Sequence, residues 1–268
     1  MKGFGGLVGL GLGLGLSGRS VFSPISLFAA SEPGVWYDPS DLSTMFQDTA
    51  GTVPVTAAGQ VVARINDKSG RGNHATQSTS LSRPTYQVDS NGRGHLLFDG
   101  SDDFLVTPTI TPGTDKAQVF AGVRKLSDAN ASIAEVSSNG TSVNGSFVLQ
   151  AWDLGRYGTG SRGTASATAI PATNTFTPPV TSVLTGLGDI AADTVILRAN
   201  GTQVAARTST DQGTGNYLAY PAYIGRRGGT SLPFNGRIYS MICRFGANLT
   251  ADQIAQVENW VNSKTGAY

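Results

Sequence analysis

Three aspartates in one short stretch are the residues whose types and spacing most directly suggest chemistry. The segment from His95 to Val106 reads His-Leu-Leu-Phe-Asp-Gly-Ser-Asp-Asp-Phe-Leu-Val and holds Asp99, Asp102 and Asp103. Carboxylate oxygens are hard ligands, and Ca²⁺ takes about six to eight oxygens, which loop carbonyls and water can complete. The spacing does not follow the EF-hand order, and aspartates also serve in turns because they bond their own backbone. A calcium site and a plain turn are both open.

Carboxylates for glycoside hydrolysis are not paired in this sequence. Retaining glycosidases hold two carboxyl groups about 5 Å apart. The chain has three glutamates, which fall before the first strand, in an isolated predicted strand and in the C-terminal helix: Glu32, Glu135 and Glu258. No Gly-x-Ser-x-Gly elbow, His-Glu-x-x-His pair or phosphate loop occurs. We therefore expect the protein not to be an enzyme.

Aromatic residues near predicted loops are candidates for carbohydrate binding. Tyrosine and tryptophan combine a large apolar face with one polar atom, which suits stacking on a sugar ring. The candidates are Trp152, Tyr157, Tyr217, Tyr220 and Tyr223. Packing in the core and at its rim is the alternative role for the same side chains.

The composition favours a turn-dense all-β protein. The 268 residues include 35 glycines and only 14% charged residues, and this length fits one large sandwich. A net charge of +1 gives no electrostatic case for a nucleic-acid partner. The single cysteine, Cys243, lies in an apolar run, which indicates a buried thiol and excludes an intrachain disulfide.

Two strand pairs are predicted from apolar runs that flank turn residues. Residues 96–98 and 104–106 are apolar and enclose the aspartate segment, so we expect two strands joined by a turn. Residues 194–198 and 202–206 flank Asn200-Gly201, a strong signal for a β-hairpin because both positions accept positive φ.

The C-terminal segment is predicted to be helical. Thr250 and Gln253 have the spacing of a capping box, and Gly266 suits the helix end. An apolar face follows at helical spacing: Ile254, Val257, Trp260 and Val261. We expect this helix to cover the sandwich and to be held mainly by Trp260.

The N-terminus is predicted to form an extended glycine- and leucine-rich arm. Residues 10–16 alternate leucine and glycine, which in an extended chain puts the leucines on one face and bare backbone on the other. The candidate anchoring residues are Leu10, Leu12, Leu14, Leu16 and Phe22. Docking against another chain and a flexible leader are both open. The stretch is too short and too rich in glycine for a membrane-spanning helix. We place the arm at residues 1–31 and the sandwich at residues 32–268.

Several segments in order carry a resemblance to a known superfamily. They are the turn Asp67–Ala75 (Asp-Lys-Ser-Gly-Arg-Gly-Asn-His-Ala), the Phe98–Asp103 segment (Phe-Asp-Gly-Ser-Asp-Asp), Phe234–Ile238 and the closing helix. Together they resemble the laminin-G-like branch of the concanavalin A-like lectin/glucanase superfamily, over roughly residues 36–266. The resemblance implies an all-β, jelly-roll β-sandwich with a C-terminal helix. The superfamily's hydrolytic Glu-x-Asp-x-Glu run is absent.

The start of the chain resembles tail-associated structural proteins of tailed bacteriophages. The resemblance rests on the leader, on Trp36–Ser43 and on Phe46–Thr52. It implies a non-catalytic virion component at the tail fibre or tail tip, made in the host cytoplasm. The arm would bind other virion proteins, the protein would form a homo-oligomer, and the sandwich would attach to a host-surface glycan. A capsid decoration or head-fibre protein and a free glycan-binding module are the alternatives.

Overall fold

The computed structural model describes Met1 and residues 22–268, so the leucines of the predicted arm at positions 10–16 lie outside the described residues. The described part contains seventeen strands, three short 3₁₀ helices and one α-helix. The strands are β1 Gly34–Tyr37, β2 Met45–Phe46, β3 Arg64–Ile65, β4 Ala75–Thr76, β5 Thr85–Val88, β6 Gly94–Asp99, β7 Leu105–Ile110, β8 Lys116–Lys125, β9 Ala131–Val136, β10 Ser146–Trp152, β11 Arg156–Arg162, β12 Ser166–Ala169, β13 Val180–Asp189, β14 Thr194–Ala199, β15 Thr202–Arg207, β16 Tyr220–Ile224 and β17 Asn235–Phe245. The 3₁₀ helices are Pro24–Phe28, Leu42–Thr44 and Ser80–Ser82, and α1 is Ala251–Thr265.

The strands form two antiparallel sheets. The first sheet has the order β15-β14-β13-β8-β17-β6-β5, and β1 also pairs with β17. The second sheet has the order β12-β11-β10-β9-β16-β7-β4-β3-β2. Apolar side chains from both sheets meet in one buried cluster, which includes Phe98, Leu149 and Phe245. The predicted all-β sandwich with a C-terminal helix is confirmed, whereas the jelly-roll connectivity stays a prediction.

The α-helix covers the outer face of the first sheet. Val257 and Val261 of α1 are fully buried against Phe120 and Ile242, which point outward from that sheet. Glu258 adds a buried ion pair with Arg198, whose Nε lies 2.8 Å from the Glu258 carboxylate. The helix position is as predicted, but Trp260 is only half-buried and contacts Trp36 edge-on at its rim. The two valines are therefore the main apolar anchors of the helix.

Residues before position 32 belong to the packed structure, which corrects the predicted boundary. Leu27 and Phe28 of the first 3₁₀ helix are buried in the cluster beneath α1, and Phe22 packs against the same cluster. The Leu27 carbonyl accepts a hydrogen bond from Arg244 Nε at 2.7 Å. Phe22 is half-buried and packs in part on its own sandwich, and its role as an anchoring residue stays a prediction.

The aspartate segment joins two sheets instead of forming a hairpin. β6 pairs with β5 and β17 in the first sheet, whereas β7 pairs with β4 and β16 in the second. The turn at Asp99–Asp103 thus carries the chain across the sandwich. The prediction of two strands joined by a turn is confirmed, but their pairing is wrong because both apolar runs face the shared core from opposite layers.

Local predictions at the other turns hold. Asn200 and Gly201 both have positive φ, at 50° and 76°, between β14 and β15. Thr250 and Gln253 form the capping box, and Gly266 ends α1 in the left-handed region. Cys243 is buried. No helix in the described part of the chain is long and apolar enough to cross a lipid bilayer.

Candidate ligand site on the open sheet

The second sheet carries polar side chains on the face that points away from the core. On β10, Phe147 and Leu149 point into the core, so the alternation of a strand puts Gln150 and Trp152 on the opposite face. The contacts of α1 are with strands β8, β13 and β17 of the first sheet. The outer face of the second sheet is thus the broad sheet surface that α1 leaves uncovered.

An open pocket lies at the β9–β12 end of this face. Its volume is about 290 Å³, close to the lower end of the range of about 300–1,000 Å³ that is common for small-molecule sites. The polar and aromatic side chains that line it are Asn130, Thr141, Gln150, Trp152, Thr168 and Arg227. One wall is therefore aromatic, and the others present amide, hydroxyl and guanidinium groups.

Trp152 lies against the sheet because its diagonal neighbour on β11, Gly158, has no side chain. A Cβ atom on Gly158 would lie 2.5 Å from Trp152 Nε1, so the indole can occupy this position only beside a glycine. The Nε1 atom is buried and has no hydrogen-bond acceptor within residues 22–268. Tryptophan N–H groups usually find a partner when they are buried. The N–H edge of the indole is thus packed against β11 at Gly158, and the ring as a whole is half-buried in the pocket wall.

A buried lysine holds the hairpin that presents Trp152. Lys125 Nζ lies 2.5 Å from the Trp152 carbonyl oxygen and 3.3 Å from that of Arg156, and its side chain is 1% exposed. The Asp128 carboxylate accepts from Lys125 at 2.6 Å and from the Gly155 N–H at 2.8 Å. Because one ammonium group bonds both strand ends of the β10–β11 turn, the position of Trp152 is set by this clamp.

Arg227 is held at the opposite wall by Glu135. Arg227 Nε lies 3.4 Å from one carboxylate oxygen of Glu135, and the Gly228 N–H donates to the other at 2.8 Å. Burial raises the pKa of Glu135 above its ordinary value. A Cβ atom on Gly140 would lie 2.7 Å from the Arg227 guanidinium, so this glycine allows it to pack close to the backbone. The terminal nitrogens Nη1 and Nη2 have no acceptor among the described residues.

Two of the five predicted sugar-binding aromatic residues are core residues. Tyr157 is 0% exposed and packs against Phe176, and Tyr217 is 2% exposed with its hydroxyl 2.6 Å from Ser161 Oγ. Neither ring has a free face, so these two predictions are wrong. The hydrophobic effect explains the error, since both side chains fill the space between the sheets.

The other two predicted tyrosines lie away from the pocket. Tyr223 pairs with Glu135 across β16 and β9 and so shares the outer face with Trp152. Strand spacing and rise per residue place their Cα atoms roughly 16 Å apart. Tyr220 packs at the edge of the core, and its hydroxyl donates to the Asn144 carbonyl at 3.0 Å. Of the five candidates, Trp152 alone lines this pocket.

The three aspartates come together but are largely occupied by the turn. Their nearest carboxylate oxygens all lie within 4.8 Å of one another. Asp99 accepts from the Ser101 N–H, Asp102 from the Ser82 hydroxyl at 2.6 Å, and Asp103 from the Asp99 N–H at 3.0 Å. Burial raises the pKa of Asp103 to about 6. The turn role is thus evident, and calcium binding stays a prediction.

The glutamates are each paired with a different arginine in a different part of the fold. Glu32 bonds Arg244 at 2.8 Å in front of β1. The Glu258–Arg198 pair lies under α1, and Glu135 lies behind Arg227 on the open sheet. This arrangement neutralises each carboxylate separately, which is what structural ion pairs do, and it does not resemble the facing pair of a retaining glycosidase.

Sequence analysis missed the pocket residues other than Trp152. Gln150 is an amide within an apolar strand, and Glu135 is a carboxylate within another, which signals that each has a polar partner or a site beside it. Arg227 precedes Gly228-Gly229, a loop in which no element was predicted. The signal was present in these isolated polar residues, but their partners lie on strands that only the sheet order brings together.

Comparisons with known proteins show a lectin-like β-sandwich. No family model matches the chain, and no curated protein matches it. A solved structure of the botulinum neurotoxin serotype D binding domain is similar with a TM-score of 0.56 and 10% identity, over 85% of this chain and 52% of that one. The serotype D ligand binding domain in complex with N-acetylneuraminic acid gives 0.53 and 12%, over 73% and 48%. The CBM40 domain of the Ruminococcus gnavus IT-sialidase bound to α2,3-sialyllactose gives 0.43 and 22%, over 55% and 84%.

The chain spans about half the length of the neurotoxin domains that it resembles. At such low identity the similarity describes the fold and not the site. The lectin-like sandwich is therefore shown by structure, and the ligand has to be argued from the pocket.

Proposed function

We propose that this protein is a non-catalytic glycan-binding module and that the pocket around Trp152 is its binding site. The observation that carries the proposal is that an aromatic wall, formed by Trp152, and the amide of Gln150 line one open pocket. Sugars have apolar ring faces and hydroxyl-rich edges. They therefore need an aromatic surface together with planar hydrogen-bonding groups.

The side chains of the site are held in place, which supports the binding of a sugar, a ligand with little apolar surface. Lys125 and Asp128 hold the hairpin of Trp152, and Glu135 holds Arg227. A pre-organised site loses little conformational entropy when the ligand binds. The fold is consistent with this proposal, since the similar serotype D domain was solved in complex with N-acetylneuraminic acid.

The test is a glycan array followed by calorimetry on the hits. We expect Trp152→Ala to weaken binding by at least about tenfold, which corresponds to about 1.4 kcal/mol of lost stacking. Leu154→Ala is the matched control, because Leu154 is exposed at the tip of the same hairpin and does not line the pocket. Equal affinity of the Trp152→Ala variant and the wild type would rule out this pocket. If Tyr223→Ala and not Trp152→Ala loses glycan binding, the binding site lies further along the sheet, at Tyr223.

The place of this module in a virion is a second part of the proposal, supported by the resemblance of the leader and of residues 36–52 to phage tail proteins. In this proposal the protein is a tail-fibre or tail-tip component made in the host cytoplasm, forms a homo-oligomer, and is held to other virion proteins by Leu10, Leu12, Leu14 and Leu16. The experiment is mass spectrometry of purified particles carrying aspartate at positions 12 and 14. Normal copy number in such particles would exclude the arm as the anchor.

A further inference from the structure

The charge of the pocket lining is one-sided. Arg227 is the only charged side chain among the described residues that line it. The carboxylate that balances this charge, Glu135, has a fully buried side chain and lies behind Arg227. A ligand in the pocket therefore faces a guanidinium group, whereas the protein's own carboxylate is out of its reach.

The guanidinium group is oriented with its unused edge available. Glu135 takes the Nε side of Arg227 at 3.4 Å. The backbone N–H of Arg227 donates to the Ser231 carbonyl at 2.8 Å, which fixes the loop that carries the side chain. With Gly140 beneath the group, Nη1 and Nη2 are left without an acceptor in residues 22–268. Two parallel N–H groups in a fixed plane match the two oxygens of a carboxylate.

From this geometry we infer that the pocket prefers sugars that carry a carboxylate, and that Arg227 is the residue that recognises the acid. The inference rests on the proposed glycan-binding function and names the class of its ligand. Trp152 would contact the ring and Gln150 the hydroxyl groups, whereas the acid would bind Nη1 and Nη2 of Arg227. Glu135 is a positioning residue, because it contacts Arg227 and not the ligand.

Neutral sugars would gain less from this site. A hydroxyl group accepts one bond from the guanidinium edge and leaves its charge unpaired, but a carboxylate accepts two parallel bonds and neutralises that charge. A difference of about 1.4 kcal/mol between the two ligands is a factor of ten in affinity. We therefore expect an acidic sugar to bind at least about tenfold more tightly than its neutral counterpart.

The experiment compares acidic and neutral sugars of matched size by calorimetry on the full chain. One pair is sialyllactose against lactose, and the other is trigalacturonate against a neutral galactose trisaccharide. The two pairs distinguish a nonulosonic acid from a uronic acid. The methyl ester of the acid that binds is the third probe, because it keeps the shape of the sugar and removes its charge.

Arg227→Gln is expected to abolish the preference, so that the acid and its neutral partner bind within a factor of about three. This variant leaves the buried Glu135 without its partner, so the double variant Glu135→Gln/Arg227→Gln serves where the single variant does not fold. Arg227→Lys is expected to retain part of the preference, since it keeps the charge without the two parallel donors. Arg71→Gln is the charge-matched control, because Arg71 is exposed in a loop that does not line the pocket.

The possible outcomes separate this inference from the proposed function. Equal binding of acids, esters and neutral sugars, all lost in Trp152→Ala, would overturn the inference and leave glycan binding in place. Acid preference that is unchanged in Arg227→Gln, or reduced equally in Arg71→Gln, would also overturn it. Absence of binding by every sugar on the array and in both pairs would refute the proposed function itself.

Discussion

Phe28 is expected to be a main contributor to the stability of the sandwich although it precedes the first strand. Its ring is 2% exposed and lies in the cluster with Phe120, Val257 and Val261, between the first sheet and α1. Phe28→Ala would remove on the order of 120 Å² of apolar burial, and at about 25 cal/mol per Å² this equals about 3 kcal/mol. Cavity formation places the cost at about 3–5 kcal/mol.

Urea unfolding followed by tryptophan fluorescence is a suitable assay, since Trp36 belongs to the same cluster. For a chain of this size the dependence on urea lies near the upper end of about 1–3 kcal/mol per M, so the midpoint should fall by about 1–1.7 M with an unchanged slope. Ile25→Ala is the matched control. Ile25 lies on the same 3₁₀ helix but is 47% exposed, and surface substitutions change stability by about 0.5 kcal/mol or less.

A small loss of stability in Phe28→Ala would refute the packing of this segment. If Phe28→Ala costs less than about 1 kcal/mol, or no more than Ile25→Ala, the segment Phe22–Ser31 does not pack on the sheet in solution. A chain that begins at residue 32 would then be as stable as one that begins at residue 22, and the boundary predicted from the sequence would be right. We expect the longer chain to have the higher midpoint.

Three further predictions concern the turn, the clamp and the helix. Because the pKa of Asp103 is about 6 when folded and about 4 when unfolded, the folded state binds more protons between these values. The free energy of unfolding should therefore fall as pH rises from about 4 to 6, by up to about 2.7 kcal/mol for two pKa units, and Asp103→Asn should remove this decrease. A rise in melting temperature with millimolar Ca²⁺, lost in Asp103→Asn, would establish the calcium site. Lys125→Met should weaken glycan binding at least about tenfold by releasing the hairpin of Trp152, and unchanged affinity in calorimetry would contradict the clamp. Trp260→Ala should cost only about 1–2 kcal/mol in urea unfolding, below the cost of a fully buried tryptophan, and a loss above about 3 kcal/mol would restore it as the main anchor of α1.

The fold was predictable as far as it depends on local patterns. The hairpin at Asn200-Gly201 and the capping box of α1 were predicted correctly because turn and cap geometry depends on residues a few positions apart. The pairing of β6 with β7 was predicted wrongly because two adjacent apolar runs can pair with each other or face each other across a core. Local sequence does not distinguish these two cases.

The candidate site was predictable only in one residue. Trp152 was found because an aromatic residue beside a turn is visible in the sequence, but Tyr157 and Tyr217 gave the same signal and are core residues. Which face of a strand points inward depends on the sheet above it. The side chain of Arg227 reaches the pocket because its loop lies next to β9, on which Glu135 holds it.

The sequence by itself determined the all-β class, the C-terminal helix, the turns and the buried cysteine, because composition, periodicity and capping act over short distances. The tertiary structure decided which face of which sheet is covered and what meets on the open one. Glu135, Gln150 and Arg227 are far apart in the chain, and the order β11-β10-β9-β16 brings their strands and loops together. Long-range pairing of strands depends on burial summed over the whole sandwich, so neither the pocket nor the packing of Phe28 could be derived from local residues alone.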